Sequence, residues 1–152
     1  MHIHYAQQPL IKSIFLAGPT PRNKATASWR PEACRILAAQ GFTGTVFVPE
    51  TDGFFPNDSY DNQVHWEWEA LNQATVVAFW VPRVIKTMPA FTTNVEFGMM
   101  CQSGKVVLGY PQGAPKMTYL DKLAKRYKMS IQPTLETVLT EAIAATRREF
   151  GA

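Results

Sequence analysis

A chain of 152 residues with 46% hydrophobic and 18% charged side chains has the composition of a folded globular domain, which argues against a disordered chain. No apolar run approaches the roughly 18 residues of a membrane span, and the first residues show no signal-peptide pattern. The net charge of +3 comes from scattered basic residues, apart from a cluster at 122–128, and does not indicate a nucleic-acid polymer as partner. We therefore expect one domain over residues 1–152, without membrane association.

Strand and helix signals alternate along the whole chain. In chain order they predict a strand at 13–17, a helix at 29–40, a strand at 45–48, a helix at 62–73, a strand at 75–81, a helix at 94–102, a strand at 105–109, a helix at 119–127, an edge strand at 128–131 and a closing helix at 134–150. This alternation is typical of parallel strands joined by crossover helices. We therefore predict an α/β fold with a mainly parallel five-stranded sheet.

Cysteine and histidine placement gives no indication of a metal site or a disulfide framework. Cys34 and Cys101 lie far apart and outside any Cys/His cluster, which favours the reducing cytoplasm as the location. His2 and His4 alternate and could share a metal ion, although two histidines in such a segment usually do not. The sequence contains neither the phosphate loop GxxxxGKS/T nor the dinucleotide motif GxGxxG. We expect no metal and no cofactor.

Three long loops, at 18–28, 49–61 and 82–93, follow predicted strands. In an open parallel sheet such loops meet beyond the carboxyl ends of the strands, where ligands bind. They contain apolar and basic side chains together: Phe54, Phe55, Met88, Phe91, Arg22 and Lys24. This mixture would suit a nucleobase, and the guanidinium of Arg22 would suit a 5′-phosphate. Loop packing, partner contact and a solvated Arg22 remain alternatives.

One carboxylate, Glu96, lies in the segment 92–98 at the predicted start of a helix. The unpaired N–H groups and partial positive charge of a helix N-terminus keep a nearby glutamate ionised. An ionised carboxylate beside a ligand crevice is a candidate nucleophile. Thr93 and Glu96 also have the spacing of a capping box, in which the glutamate only bonds the backbone of the first turn. Both interpretations remain open at this point.

A second carboxylate, Glu67, lies on the apolar face of the helix predicted at 62–73. At 100° per residue, this face also carries Val64, Trp68, Ala70, Leu71 and Ala74. Glu69 falls outside the apolar arc, whereas Glu67 falls inside it. Burial raises the pKa of a carboxyl, which makes Glu67 a candidate general acid, unless it is paired with a buried lysine or arginine. One ionised and one protonated carboxyl are the pair used in glycosyl transfer.

Five segments resemble the nucleoside 2-deoxyribosyltransferase family, in particular its deoxyribosyltransferase-like branch. They are IFLAGP at 14–19, WE at 66–67 with ALNQA at 70–74, VVAFW at 76–80, VEFG at 95–98 and SGKVV at 103–107. The resemblance implies a flavodoxin-like three-layer sandwich and a homo-oligomer that can complete its sites across subunits. It also implies cleavage or exchange of the N-glycosidic bond of a nucleoside or nucleoside 5′-monophosphate through a covalent glycosyl-glutamate.

By this likeness Glu96 is the nucleophile, and Glu67 matches an acidic helix position that handles protons near the base. We expect substrate contacts from residues around the two carboxylates: Gly18, Pro19, Arg22, Trp66, Thr92, Thr93, Asn94 and Gly98. The residues named do not decide between hydrolase and transferase or between deoxyribose and ribose.

Three departures from the family pattern bear on the substrate. Thr75 stands where relatives often carry aspartate, and the turn at 91–94 is not glycine-rich. Pro19 and Pro21 lack N–H groups, which makes this turn a poor phosphate nest unless Arg22 supplies the charge. A module of the same fold that binds or senses a nucleotide without catalysis is therefore the alternative function.

Overall fold

The computed structural model describes residues 11–50 and 60–150, and within these ranges strands and helices alternate as predicted. The elements are β1 (Ser13–Ala17), α1 (Arg30–Ala39), β2 (Thr45–Phe47), α2 (Tyr60–Gln73), β3 (Val76–Trp80), α3 (Phe91–Met100), β4 (Val106–Gly109), α4 (Thr118–Arg126), β5 (Ile131–Gln132) and α5 (Leu135–Phe150). The strands form one sheet in the order β2-β1-β3-β4-β5, and every pair is parallel. This is the flavodoxin-like order, so the predicted fold class is confirmed.

The sheet is covered on both faces, which gives three layers. Every residue of β1 and β3 is buried, and side chains alternate between the two faces of the sheet. Phe15 and Ala17 belong to the apolar core beneath α2, α3 and α4. Ile14 and Leu16 belong to the core beneath α1 and α5. The two central strands are thus fixed from both sides, and the loops at their carboxyl ends start from rigid points.

The predicted start of α3 is wrong by three residues. The helix begins at Phe91, after Ala90 in the left-handed conformation with φ 61°, and its first-turn bond runs from the N–H of Asn94 to the carbonyl of Ala90. Glu96 therefore lies in the second turn, beyond the unpaired N–H groups. No side chain in the described parts of the chain caps this helix, so the alternative capping box is also wrong. Nothing in the sequence marks Ala90 as left-handed, whereas Thr92 and Thr93 are residue types that often cap a helix, so the predicted start was placed after them.

The predicted edge strand also changes position. Residues 128–130 close the carboxyl end of α4, because Lys128 is left-handed with φ 56° and the N–H of Met129 bonds the carbonyl of Ala124. The strand β5 follows at Ile131–Gln132. In the described ranges, no helix has the length and apolarity needed to cross a membrane.

Candidate active site

A cleft of about 320 Å³ opens where β1, β2 and β3 end. Its size lies near the lower end of the roughly 300–1,000 Å³ of small-molecule sites. Its wall is formed by loop residues and by side chains of α1, α2 and α3: Gly18, Pro19, Thr20, Arg22, Arg30, Pro49, Tyr60, Gln63, Val64, Glu67, Pro89, Ala90, Phe91, Thr92 and Glu96. The three loops predicted to converge all border this cleft. Phe54 and Phe55 of the middle loop lie outside the described residues.

Glu96 and Glu67 line the same cleft from two different helices. Glu96 is partly buried, and its pKa is raised from 4.5 to about 7. Loss of hydration is the largest cause of this rise, the negative charge of Glu67 adds to it, and the positive charge of Arg30 opposes it. The expectation that a helix N-terminus keeps Glu96 ionised is therefore wrong, because the carboxyl lies one turn too far along α3 and is desolvated. The charge of Glu67 therefore acts on Glu96 across the cleft.

Glu67 is held by its own helix. The side-chain amide of Gln63, one turn earlier, donates a hydrogen bond of 2.9 Å to Oε1 of Glu67. Trp68, which we expected to shelter Glu67 from water, is 47% exposed and packs edge-on against His65 instead. The reason is that α2 buries only a narrow stripe, of which Ala70 and Leu71 are members. The apolar shelter predicted for Glu67 is thus absent from the described part of the helix surface.

Arg30 is a residue of the site that our sequence analysis missed. Its side chain is 2% exposed, and its Nε and Nη2 atoms donate hydrogen bonds of 3.1 Å to the carbonyl of Leu16 and of 2.7 Å to the carbonyl of Gly18. Nη1 donates a bond of 3.1 Å to the hydroxyl of Thr20 and forms an ion pair with Glu50. Arg30 is therefore a buried cation whose donors are directed at the ends of β1 and β2.

A sequence signal for Arg30 did exist. Arg30, Ala33 and Leu37 are spaced by three and four residues, and all three are buried on one face of α1. An arginine inside an apolar helical stripe marks a buried charge, as Glu67 did in the neighbouring helix.

Arg22 lies at the mouth of the cleft between two of the loops. Its backbone N–H bonds the carbonyl of Thr87 at 2.9 Å, which ties the loop after β1 to the loop after β3. Its exposed guanidinium lies 5.4 Å from the centre of the Phe91 ring. Lys24, from the same loop, is exposed and is not among the lining residues. Arg22 is thus an exposed cation on the lining of the cleft.

The other residues expected to contact substrate divide into two groups. Gly18, Pro19 and Thr92 line the cleft, as does Arg22. Four others lie outside its described lining: Trp66, Thr93, Asn94 and Gly98.

Each residue of the second group has a different position in the fold. Trp66 packs beside the aromatic rings of the sheet, with its ring centre 6.4 Å from that of Phe15. Thr93 is 1% exposed, and Asn94 accepts a hydrogen bond from Nη2 of Arg83. Gly98 lies on the exposed side of α3, where an added Cβ would meet no described atom within 4 Å.

Thr75 lies just before the amino end of β3, whereas the cleft lies at the carboxyl ends of the strands. Its N–H bonds Oγ of Ser13 at 3.0 Å, and the two hydroxyls lie 3.3 Å apart, which links the starts of β1 and β3. The aspartate that relatives often carry at this position would not face the cleft. Its replacement by threonine is therefore no argument against catalysis here.

The fold and the cleft define the class of protein: a flavodoxin-like α/β sandwich with paired glutamates at the switch point of its sheet, where such folds bind ligands. A family model described as nucleoside 2-deoxyribosyltransferase like matches residues 11–114, which are 104 of the 152 residues. The chain belongs to the nucleoside 2-deoxyribosyltransferase-like family, whose substrates are nucleosides or nucleotides. The match includes every described residue that lines the cleft. A search of curated proteins gives no match.

Proposed function

We propose that this protein cleaves or exchanges the N-glycosidic bond of a nucleoside or nucleoside 5′-monophosphate through a glycosyl ester on Glu96, without a cofactor. The observation that supports this proposal is the presence of Glu96 and Glu67 on one cleft in a chain of this family. Gly18, Pro19 and Thr92 would contact the substrate from the wall, and Arg22 would bind a 5′-phosphate at the mouth.

The reaction needs one ionised carboxyl and one proton. An ionised oxygen of Glu96 forms a bond to the anomeric carbon while the bond from this carbon to the base nitrogen breaks. The electron pair leaves with the base, and Glu67 delivers a proton to it. Water or a second base then bonds the anomeric carbon and gives its proton to Glu67, while the ester bond to this carbon breaks and releases ionised Glu96. Water makes the enzyme a hydrolase, and a second base makes it a transferase. The negative charge of Glu67 helps to raise the pKa of Glu96 to about 7, so the protonation of Glu96 changes in the neutral range.

The first test follows free base by chromatography after incubation with deoxynucleosides, ribonucleosides and their 5′-monophosphates, with and without an acceptor base. We expect release by the wild type and none by Glu96→Gln. Glu69→Gln, an exposed carboxyl on the same helix as Glu67, serves as the matched control and should release base normally. A sugar-sized mass on the intact protein after brief mixing would identify the covalent ester. Binding of these compounds without any release, at high protein concentration, would favour the non-catalytic module.

The pH dependence separates the roles of the two carboxyls. With an activated leaving group only ionised Glu96 is needed, so kcat/KM should rise through pH 7, where this carboxyl titrates. With a poor leaving group a proton from Glu67 is needed as well, so kcat/KM should also show a falling limb, which Glu67→Gln should remove. Glu67→Gln should move the rising limb to lower pH, because a negative charge beside Glu96 is removed. A falling limb with activated substrates would reverse the two roles.

We also propose that the chain is a single cytoplasmic domain that assembles into a homo-oligomer. One face of α3 exposes a row of apolar side chains, Phe91, Val95 and Met99, at 63%, 63% and 52%. Because Phe91 also lines the cleft, a second copy packed on this row would complete the site. Sedimentation of the wild type and of Val95→Glu tests this assembly. A monomeric wild type would overturn it.

A further inference from the structure

Arg30 contacts more of the cleft wall than a simple ion pair requires. Its Nε and Nη2 atoms bond the carbonyls of Leu16 and Gly18, at the end of β1 and just after it, and Nη1 bonds the hydroxyl of Thr20. The partner of its ion pair, Glu50, follows β2. One planar guanidinium thus holds together the ends of two neighbouring strands and the turn at 18–20. A lysine, with one ammonium group, could not make the same set of directed bonds.

The charge of Arg30 also reaches the two carboxyls proposed to be catalytic. Charged groups line the cleft together with Glu96 from three elements: Glu67 on α2, Arg30 on α1 and Arg22 on the loop after β1. Arg30 is the buried cation among them, and it interacts with Glu50, Glu67 and Glu96 at once. Arg22 is exposed, so water weakens its effect on Glu96. Arg30 therefore supplies positive charge inside the cleft that neither solvent nor salt screens strongly.

We infer that Arg30 is a positioning residue of this active site, which fixes the 18–20 wall of the cleft and places a buried positive charge on the cleft that favours the ionised form of Glu96. The inference rests on the proposed function for its kinetic consequences. Its electrostatic part holds for the free protein and can be measured without a substrate. Two properties of one side chain are involved, the planar set of donors and the charge, and different variants separate them.

The charge is tested by carboxyl NMR titration of protein labelled with ¹³C at the glutamate side-chain carboxyls, with the Glu96 signal assigned from its loss in Glu96→Gln. Arg30→Gln should raise the titration midpoint of Glu96 by about one pH unit, at the low end of the effect of a nearby opposite charge. Glu50→Gln removes the ion-pair partner and leaves the charge of Arg30 in place, so it should not raise the midpoint. An unchanged midpoint in folded Arg30→Gln, or a raised one in Glu50→Gln, would overturn the electrostatic role.

The donor set is tested by Arg30→Lys, which keeps the charge. We expect the titration midpoint of Glu96 in this variant to stay near that of the wild type. The value of kcat/KM for base release should fall at least about tenfold, because the lysine cannot hold the 18–20 wall of the cleft in place. Wild-type kcat/KM in this variant would overturn the positioning role. If circular dichroism shows that Arg30→Gln does not fold, a raised midpoint in Arg30→Lys overturns the electrostatic role in its place. Absence of base release by the wild type overturns the proposed function alone, since the titration still decides the effect of Arg30.

Discussion

The burial of Glu96 predicts a pH-dependent stability that needs no substrate to observe. The pKa of this carboxyl is raised from 4.5 to about 7 in the folded chain, first by loss of hydration and then by the charge of Glu67. At 1.36 kcal/mol per pH unit, this difference corresponds to about 3.4 kcal/mol. Because the folded state holds the proton more tightly than the unfolded state, the stabilisation is fully present below pH 4.5 and is lost as the pH rises through 7.

Replacement of Glu96 by glutamine removes the titration and keeps the shape of the side chain. Between pH 5 and pH 8.5, the wild type should lose about 2.5 kcal/mol of unfolding free energy relative to Glu96→Gln. Urea unfolding at a series of pH values, followed by tryptophan fluorescence, measures this difference. Glu69→Gln, at an exposed position of α2, should keep the wild-type pH dependence. Parallel stability curves for the wild type and Glu96→Gln would show that Glu96 is not desolvated in the folded chain.

Two further predictions concern the stability of the loop after β1 and of α3, which both contribute to the cleft wall. Gly18→Ala should lower the unfolding free energy by roughly 2–4 kcal/mol, since Gly18 has φ 152° and an added Cβ would collide with the carbonyl of Trp80. Gly98→Ala, at an open position within α3, should instead raise the unfolding free energy by about 0.5–1 kcal/mol. Equal thermal shifts for the two alanine variants would contradict this reasoning. Asn94→Ala should lower the unfolding free energy by about 1–3 kcal/mol, because Nη2 of the buried Arg83 loses its acceptor. Nη1 keeps its bond to the carbonyl of Lys116, whereas Nε has no bonding partner among the described residues. Wild-type urea midpoints for Asn94→Ala would show that the bond between Asn94 and Arg83 does not stabilise the fold.

The sequence predicts most of the fold because the signals that build it are repetitive. Apolar runs such as Val76–Trp80 and apolar helical stripes recur along the chain, and errors at element ends do not change the order of the strands. The prediction of α3 shows the limit of this approach. Its start depends on the left-handed backbone of Ala90, which no residue type announces, and an error of three residues gave Glu96 the wrong electrostatic environment.

The charges of the site were predicted less well than its position. The apolar arc of α2 identified Glu67, but it did not show how much of that helix face is buried. The arc gives the direction in which a side chain points, whereas burial depends on which other elements pack against that face. Trp68 was expected against the core and is exposed. Arg30 was missed although it follows the same rule, a charged residue within an apolar stripe. A helical pattern reports which side chain turns inward, whereas its partners come from elements distant in the chain, here the ends of β1 and β2.

The observed position of Glu96 gives this carboxyl a different protonation near neutral pH from the one first predicted. A carboxyl at a helix N-terminus would be ionised throughout the neutral range. In the structure, burial and the negative charge of Glu67 raise the pKa of Glu96 to about 7, while the positive charge of Arg30 lowers it. One ionised oxygen and one proton are what the first bond cleavage requires. In the proposed reaction Arg30 favours the ionised oxygen of Glu96, and Glu67, on the same cleft, delivers the proton.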